Sequence, residues 1–131
     1  MSISKKSVRS GPFQSIFASG VQVDGTLYLA GQVSMDGEGN VVGAGNLEQQ
    51  LRQCFANIKD VLSEFGADMS NIVDECFFVT DVALILDNLE TFCGVREEVY
   101  GGPPEVSQTL VQVAGLVSPD LLLEIKCVAK L

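Results

Sequence analysis

The sequence predicts an α+β fold of order ββαβαββ, one mixed sheet carrying two helices on a single face, in one domain spanning residues 1–131. Three observations predict it. Two β-rich runs, Ser15 to Val23 and Thr26 to Ser34, meet at Asp24-Gly25, a dipeptide that accepts the positive φ angles of a tight hairpin turn. Beyond Asn46 the apolar residues recur at helical rather than strand spacing. Two further strand-like runs follow the helix-breaking stretch Gly101-Gly102-Pro103-Pro104.

In chain order, the first hairpin comes with an interruption at Ser19-Gly20 that predicts a bulge. Met35 to Asn40 (MDGEGN) is a turn cluster, and it lacks the ligand spacing and terminal Glu of a calcium loop. Leu47, Leu51, Cys54, Phe55, Ile58, Leu62 and Phe65 make one stripe of an amphipathic helix, opened by Asn46 with Gln49 and ended by Gly66. Ile72 to Thr80 is the third strand. A second helix lies within Ala83 to Tyr100, with Leu89, Phe92, Arg96 and Val99 on one side. Thr109 to Ala114 and Leu121 to Lys130 are the last strands, joined through Ser118-Pro119-Asp120.

Strand alternation puts Leu121, Leu123, Ile125 and Cys127 on one face and Leu122 and Val128 on the other. It likewise sets Val73, Phe77 and Val79 against Ile72, Cys76 and Phe78. Both faces of the sheet are therefore apolar, while two helices cover only one. A second copy of the chain is the economical cover for the other.

Composition narrows the function classes. With 17 acidic against 8 basic residues the formal charge is -9, which repels phosphate backbones, so nucleic acid is not an expected partner. Lys5, Lys6 and Arg9 read as a solvated tail. No stretch reaches the ~18 to 20 apolar residues of a membrane helix, and Met1 to Arg9 lacks an apolar signal core, so a cytoplasmic protein without membrane contact is expected. Cys54, Cys76, Cys93 and Cys127 are widely spaced with no histidine to join them, so no metal site is expected, and they read as reduced, buried thiols. The absence of histidine also removes Ser-His and Cys-His nucleophile systems. Proton chemistry here must use Asp, Glu, Lys, Tyr, Cys or an ordered water.

Five segments, in this order and spacing, carry a resemblance: GPFQS at 11–15, LYLAGQVS at 27–34, LRQCFANIKDVLSEFGAD at 51–68, NIVDECFFVTD at 71–81 and TLVQVAGL with LLLEIKCVA at 109–129. The chain resembles the RidA/YjgF family of reactive-intermediate (imine/enamine) deaminases over about residues 11–130. The resemblance implies a chorismate-mutase-like fold assembled as a homotrimer whose sheets form a central barrel, with small-molecule pockets between subunits. It also implies hydrolysis of 2-imino or enamine acids to 2-oxo acids and ammonia with no cofactor.

The family's carboxylate-gripping arginine at the start of the fourth strand has no counterpart here. Counting back from VQVAGL places Gln108 at that position, and counting forward from Pro103-Pro104 places Val106. Strand register is harder to shift than loop length, which favours Gln108. A glutamine replaces a fixed charge with a neutral amide, so acidic substrates lose charge-assisted bonds and a neutral or amide-bearing ligand fits better. Among the remaining arginines, Arg9, Arg52 and Arg96, only Arg9 lies near the Gly11-Pro12 turn, and it reads as part of the tail.

By the same resemblance Glu124 takes the position of a glutamate that orients the hydrolytic water. A carboxylate between Leu123 and Ile125 favours that role if buried, the alternative being an ion pair with Lys126 on the same face. Phe13 matches a pocket-closing aromatic without its usual hydroxyl. Ala30 and Gly31, in AGQV, match a segment where the ligand approaches the backbone, although a strand glycine also serves close chain packing. The expected function is hydrolysis or deamination of a small metabolite through Glu124 and a water, or, alternatively, non-catalytic binding or sensing of a metabolite on the same architecture. Endoribonuclease chemistry fits badly with the charge of -9 and the lack of histidine.

Overall fold

The computed structural model describes residues 2–131. The strands are β1 (Lys6–Val8), β2 (Gly20–Val23), β3 (Thr26–Leu29), β4 (Gln32–Val33), β5 (Ile72–Val79), β6 (Ser107–Gln112) and β7 (Leu123–Lys130). The helices are α1 (Leu47–Ser63), α2 (Val82–Asp87) and α3 (Leu89–Tyr100), with a single 3-10 turn at Met69–Asn71. The strands form one sheet in the order β1-β2-β3-β7-β5-β6, with β4 also paired to β7. Only β5 and β6 run parallel. None of the helices is long and apolar enough to cross a membrane.

Two parts of the expected architecture need correction. The sheet does not close into a barrel: β1 and β6 are its two free edges, and each pairs on one side only. There are also three α-helices rather than two. The segment expected to form one helix breaks at Asn88, whose backbone (φ -124°, ψ 32°) leaves the helical region. Its side chain turns back to donate to the Leu84 carbonyl (2.8 Å), which satisfies the end of α2 before α3 begins.

The hairpin at Asp24-Gly25 forms, with Asp24 supplying a positive φ of 52° and Val23 facing Thr26. Its first strand starts later than its composition suggests, because residues 13–17 coil into turns in which Ile16 and Phe17 both donate to the Phe13 carbonyl. Ser19-Gly20 opens β2 in regular register instead of bulging it. The irregularity lies in the strand opposite: between β3 and β4 the pairing with β7 slips by one residue, at Ala30-Gly31. The basic tail is a strand as well, since Lys6–Val8 pairs with β2 and the Lys6 ammonium lies 5.3 Å from the Phe65 ring centre.

α1 is capped by Asn46, whose side chain accepts from the Gln49 amide. Its stripe of Leu51, Cys54, Phe55, Ile58 and Leu62 is buried against Leu27, Leu29, Phe77, Leu123, Ile125 and Cys127 of the sheet. Phe77 joins the helices, with its ring 6.3 Å from Phe55 of α1 and 5.0 Å from Phe92 of α3. Gln50 is the polar residue of this interface and is wholly buried. It donates to the carbonyls of Gly43 (3.0 Å) and Asp120 (2.9 Å) and accepts from the Leu122 amide (2.8 Å), tying the loop before α1 to the entry of β7.

β5 corrects the expected facing. Ile72 pairs with Ala129 and Asp74 with Val128, so Val73 is an extra residue. Ile72, Glu75, Phe77 and Val79 therefore point under the helices, and Val73 is 43% exposed. The face without helices still carries apolar side chains: half-buried Cys76, Phe78 and Val128, with Tyr28 and Val111 exposed at 50% and 39%. The cysteines divide as well. Cys54 and Cys127 are buried and Cys76 is intermediate, whereas Cys93 lies outside the Phe92–Val95 stripe of α3 and is exposed.

Candidate functional site

Strand alternation along β7 buries Leu123 and Ile125 under the helices and turns Glu124 to the uncovered face. There it stands between Val33 of β4 and Phe78 of β5, its register partners. Burial between these apolar neighbours pushes the Glu124 carboxyl above its ordinary range, and the positive charge of Lys126 partly opposes that rise. Lys126 is nevertheless not an ion-pair partner. Its ammonium donates to the Leu29 carbonyl at 2.8 Å, and the ion pairs among the described residues do not include Glu124.

The bulge at Ala30-Gly31 brings the backbone directly over this carboxyl. A Cβ on Gly31 would lie 2.8 Å from Glu124 Cδ, and closer still to Oε2, so only glycine leaves room for Glu124 in this position. Gly31 also borders a groove of about 400 Å³ between the N-terminal turns, β4 and α1. Phe13 and Phe17 form one wall, with ring centres 5.7 Å apart and planes 20° from parallel. Asn57 of α1 holds the opposite side by donating to the carbonyls of Val33 and Met35 (3.0 Å each). Asp36, Asp60 and Glu64 give the groove an acidic rim. Arg9 is fixed beside it, donating to the Gln14 carbonyl at 2.9 Å.

The residues expected to line a site thus fall into two groups within one chain. Phe13 and Gly31 share the groove, Ala30 flanks Gly31 at the bulge, and Glu124 touches Gly31. Gln108 is elsewhere, on edge strand β6, opposite Glu75 of β5. Its side chain leaves the sheet on the helix-covered face, the reverse of Glu124, and donates to Glu75 Oε1 at 3.0 Å. Val106 precedes β6, packs on the core and borders a smaller hollow of about 210 Å³ with Tyr100 and Ile72.

Sequence reasoning missed the cluster around Glu75. This carboxylate is fully buried and also accepts from Arg96 Nε (2.7 Å), from Arg96 Nη2 and from the Tyr100 hydroxyl (2.7 Å). Burial and the adjacent carboxylate together raise the Tyr100 phenol well above its ordinary range. A signal was present in the sequence: Arg96 sits in the apolar stripe of one helix and Glu75 in an apolar strand, two opposite charges each facing a core.

A family model described as Endoribonuclease L-PSP matches residues 12–131. A RutC family protein of Synechocystis is 30% identical over 122 residues, covering 92% of this chain and 87% of that protein. The mitochondrial protein mmf1 of Schizosaccharomyces pombe is 29% identical over 127 residues, 96% of this chain and 72% of that one. Among solved structures, a Rid family protein of unknown function from Yersinia pestis superposes with a TM-score of 0.84 at 23% identity, over 98% of this chain and all of that one. The YjgF gene product of E. coli gives 0.80 at 20% identity, over 95% and 98% of the two chains.

Proposed function

Because the chain belongs to the Endoribonuclease L-PSP family, the RidA/YjgF group, we propose that it is a small-molecule enzyme of the RidA kind, hydrolysing an imine or enamine metabolite in clefts between subunits of a homotrimer. The single observation that carries this reading is the Glu124 carboxyl: half-buried, raised in pKa, outside the ion pairs of the described residues, and set against Gly31, a backbone position with no side chain. A carboxylate so placed takes a proton from a water as its oxygen adds to the imine carbon. That proton passes to nitrogen to give a carbinolamine, whose hydroxyl proton is then taken by the carboxylate and delivered to nitrogen as the C–N bond breaks, giving an oxo compound and ammonia. The apolar, helix-free face with Tyr28, Phe78, Val111 and Val128 supports the trimer, since a lone chain would leave it wet. Residues 1–131 are taken as one domain, and its place as the cytoplasm.

In the assembled cleft Phe13, Ala30 and Gly31 would supply walls and Gln108 a polar contact from the β6 edge. No cofactor enters this chemistry. The ribonuclease in the family's description is not carried over, because a formal charge of -9 opposes a phosphate backbone and no histidine is present for proton transfer. One observation favours a second reading, a binding or sensing module without turnover: Arg96, which shares the Glu75 carboxylate with Gln108, is already paired and supplies no free guanidinium at the β6 edge for an acidic substrate.

Turnover of a panel of imines generated in solution, followed by ammonia release, tests the first reading against the second. Glu124→Ala should lower the rate on the best substrate by about 10²-fold or more with the trimer intact. Equal rates on every imine tried would remove Glu124 from the chemistry and leave the binding module.

A further inference from the structure

Four donor contacts converge on one carboxylate. Glu75 Oε1 accepts from Arg96 Nε (2.7 Å), from Arg96 Nη2 and from Gln108 Nε2 (3.0 Å), and Oε2 accepts from the Tyr100 hydroxyl (2.7 Å). Glu75 is fully buried, whereas Gln108 is exposed on the free edge of the sheet. An ionised carboxylate only accepts, so each of these groups must meet it as a donor.

The orientation of Gln108 follows. Its NH2 must face Glu75, since the reverse would set its carbonyl oxygen against a carboxylate oxygen. The carbonyl Oε1 is therefore the end left for a partner at the edge of β6. The cation that could have drawn an anion there, Arg96, is neutralised by the same carboxylate.

Resting on the reading that the ligand lies against the β6 edge, we infer that Glu75 is a specificity-determining residue that fixes Gln108 with its acceptor outward. The ligand group met there is a hydrogen-bond donor, an amide or amine N–H, and not a carboxylate. A carboxylate would meet a carbonyl oxygen with no free cation beside it, which disfavours an acceptor.

Propionamide and propionate, which share one skeleton, separate the two recognition modes. Titrated into the isotope-labelled trimer and followed through the Gly31 amide and the Gln108 side-chain NH2, propionamide should bind about tenfold or more tighter than propionate. Glu75→Gln frees the Gln108 amide to rotate and leaves Arg96 uncompensated, and should shift the preference toward propionate by about tenfold. If Glu75→Gln does not fold, Gln108→Leu carries the test, because it removes the outward carbonyl from an exposed position and should abolish the preference. Tighter binding of propionate to the unaltered protein, or a preference unmoved in every folded variant, overturns the inference. Equal binding of both compounds at Gly31 overturns it while leaving the cleft reading standing. No response at either Gly31 or Gln108 overturns both.

Discussion

Gly31 and Glu124 occupy a single space: the carboxyl of one lies where the side chain of the other would have to be. The one-residue slip between β3 and β4 lifts the backbone there, and the missing Cβ admits the acid. The half-buried Glu124 carboxyl and a bulge in a neighbouring strand are thus one device.

Gly31→Ala should force Glu124 or the bulge to move, at a cost of about 1 to 3 kcal/mol in denaturant unfolding. Adding Glu124→Ala removes the obstacle, so the double variant should recover much of that loss. A double-mutant cycle showing simple additivity would mean that the two residues do not compete for this space.

Glu124 should also leave a mark on the pH dependence of stability. Its folded-state pKa is raised by burial, so the charged form is the costly one in the folded protein. The penalty is absent below the unfolded-state pKa and grows as pH rises through the folded one. Glu124→Gln should therefore melt like the parent in acid and above it at pH 7 to 8. Lys126→Met removes the opposing charge and should widen that gap.

Arg96→Met would leave the Glu75 carboxylate buried and unpaired, with an expected loss of about 3 to 5 kcal/mol. Replacing both together, Glu75→Met with Arg96→Met, should be far milder, since no charge is then stranded. Chemical denaturation of the two single variants and the double decides it.

Phe78→Lys puts a charge on the uncovered sheet face with little effect on the helix-covered core. In light scattering at micromolar concentration it should convert the proposed trimer to lone chains. An assembly of unchanged mass would place the proposed subunit contact elsewhere.

Gln50→Ala deprives the Leu122 amide of its acceptor and the Gly43 and Asp120 carbonyls of their donor. The expected cost is about 1 to 3 kcal/mol, with faster hydrogen exchange at Leu122 as the local signature.

Period and punctuation made much of this fold legible. The Asp24-Gly25 hairpin, the α1 stripe with its Asn46 cap, and the strands at 72–79 and 123–130 follow from apolar spacing and turn residues. The two bulges did not, because an extra residue in a strand changes only register, and register depends on the partner strand. Val73 looks like an inward residue until its pairing with β7 is known. The break at Asn88 was hidden by apolar residues on both sides, and the edge strand at Lys6–Val8 by a composition that suits a tail equally well.

For the site, Gly31 and Glu124 could be named from the sequence, but that one fills the space of the other could not. Gln108 could be named as well, yet which face it leaves from depends on its pairing with Glu75, and its orientation on the Glu75 carboxylate. Glu75 itself was passed over because an acid in an apolar strand shows its purpose only beside its donors.

Strand β7 holds the middle of the sheet, with β3 and β4 on one flank and β5 on the other, yet it is the last of the seven strands to leave the ribosome. Until residue 130 has emerged, the β1-β2-β3 meander and the β5-β6 pair have nothing between them to bind. Elongation at any ordinary speed therefore yields two half-sheets that wait with bare edges, and completion is a single closing event once β7 has emerged. Cells would shield this nascent chain most just before β7 emerges, when both half-sheets exist and nothing joins them.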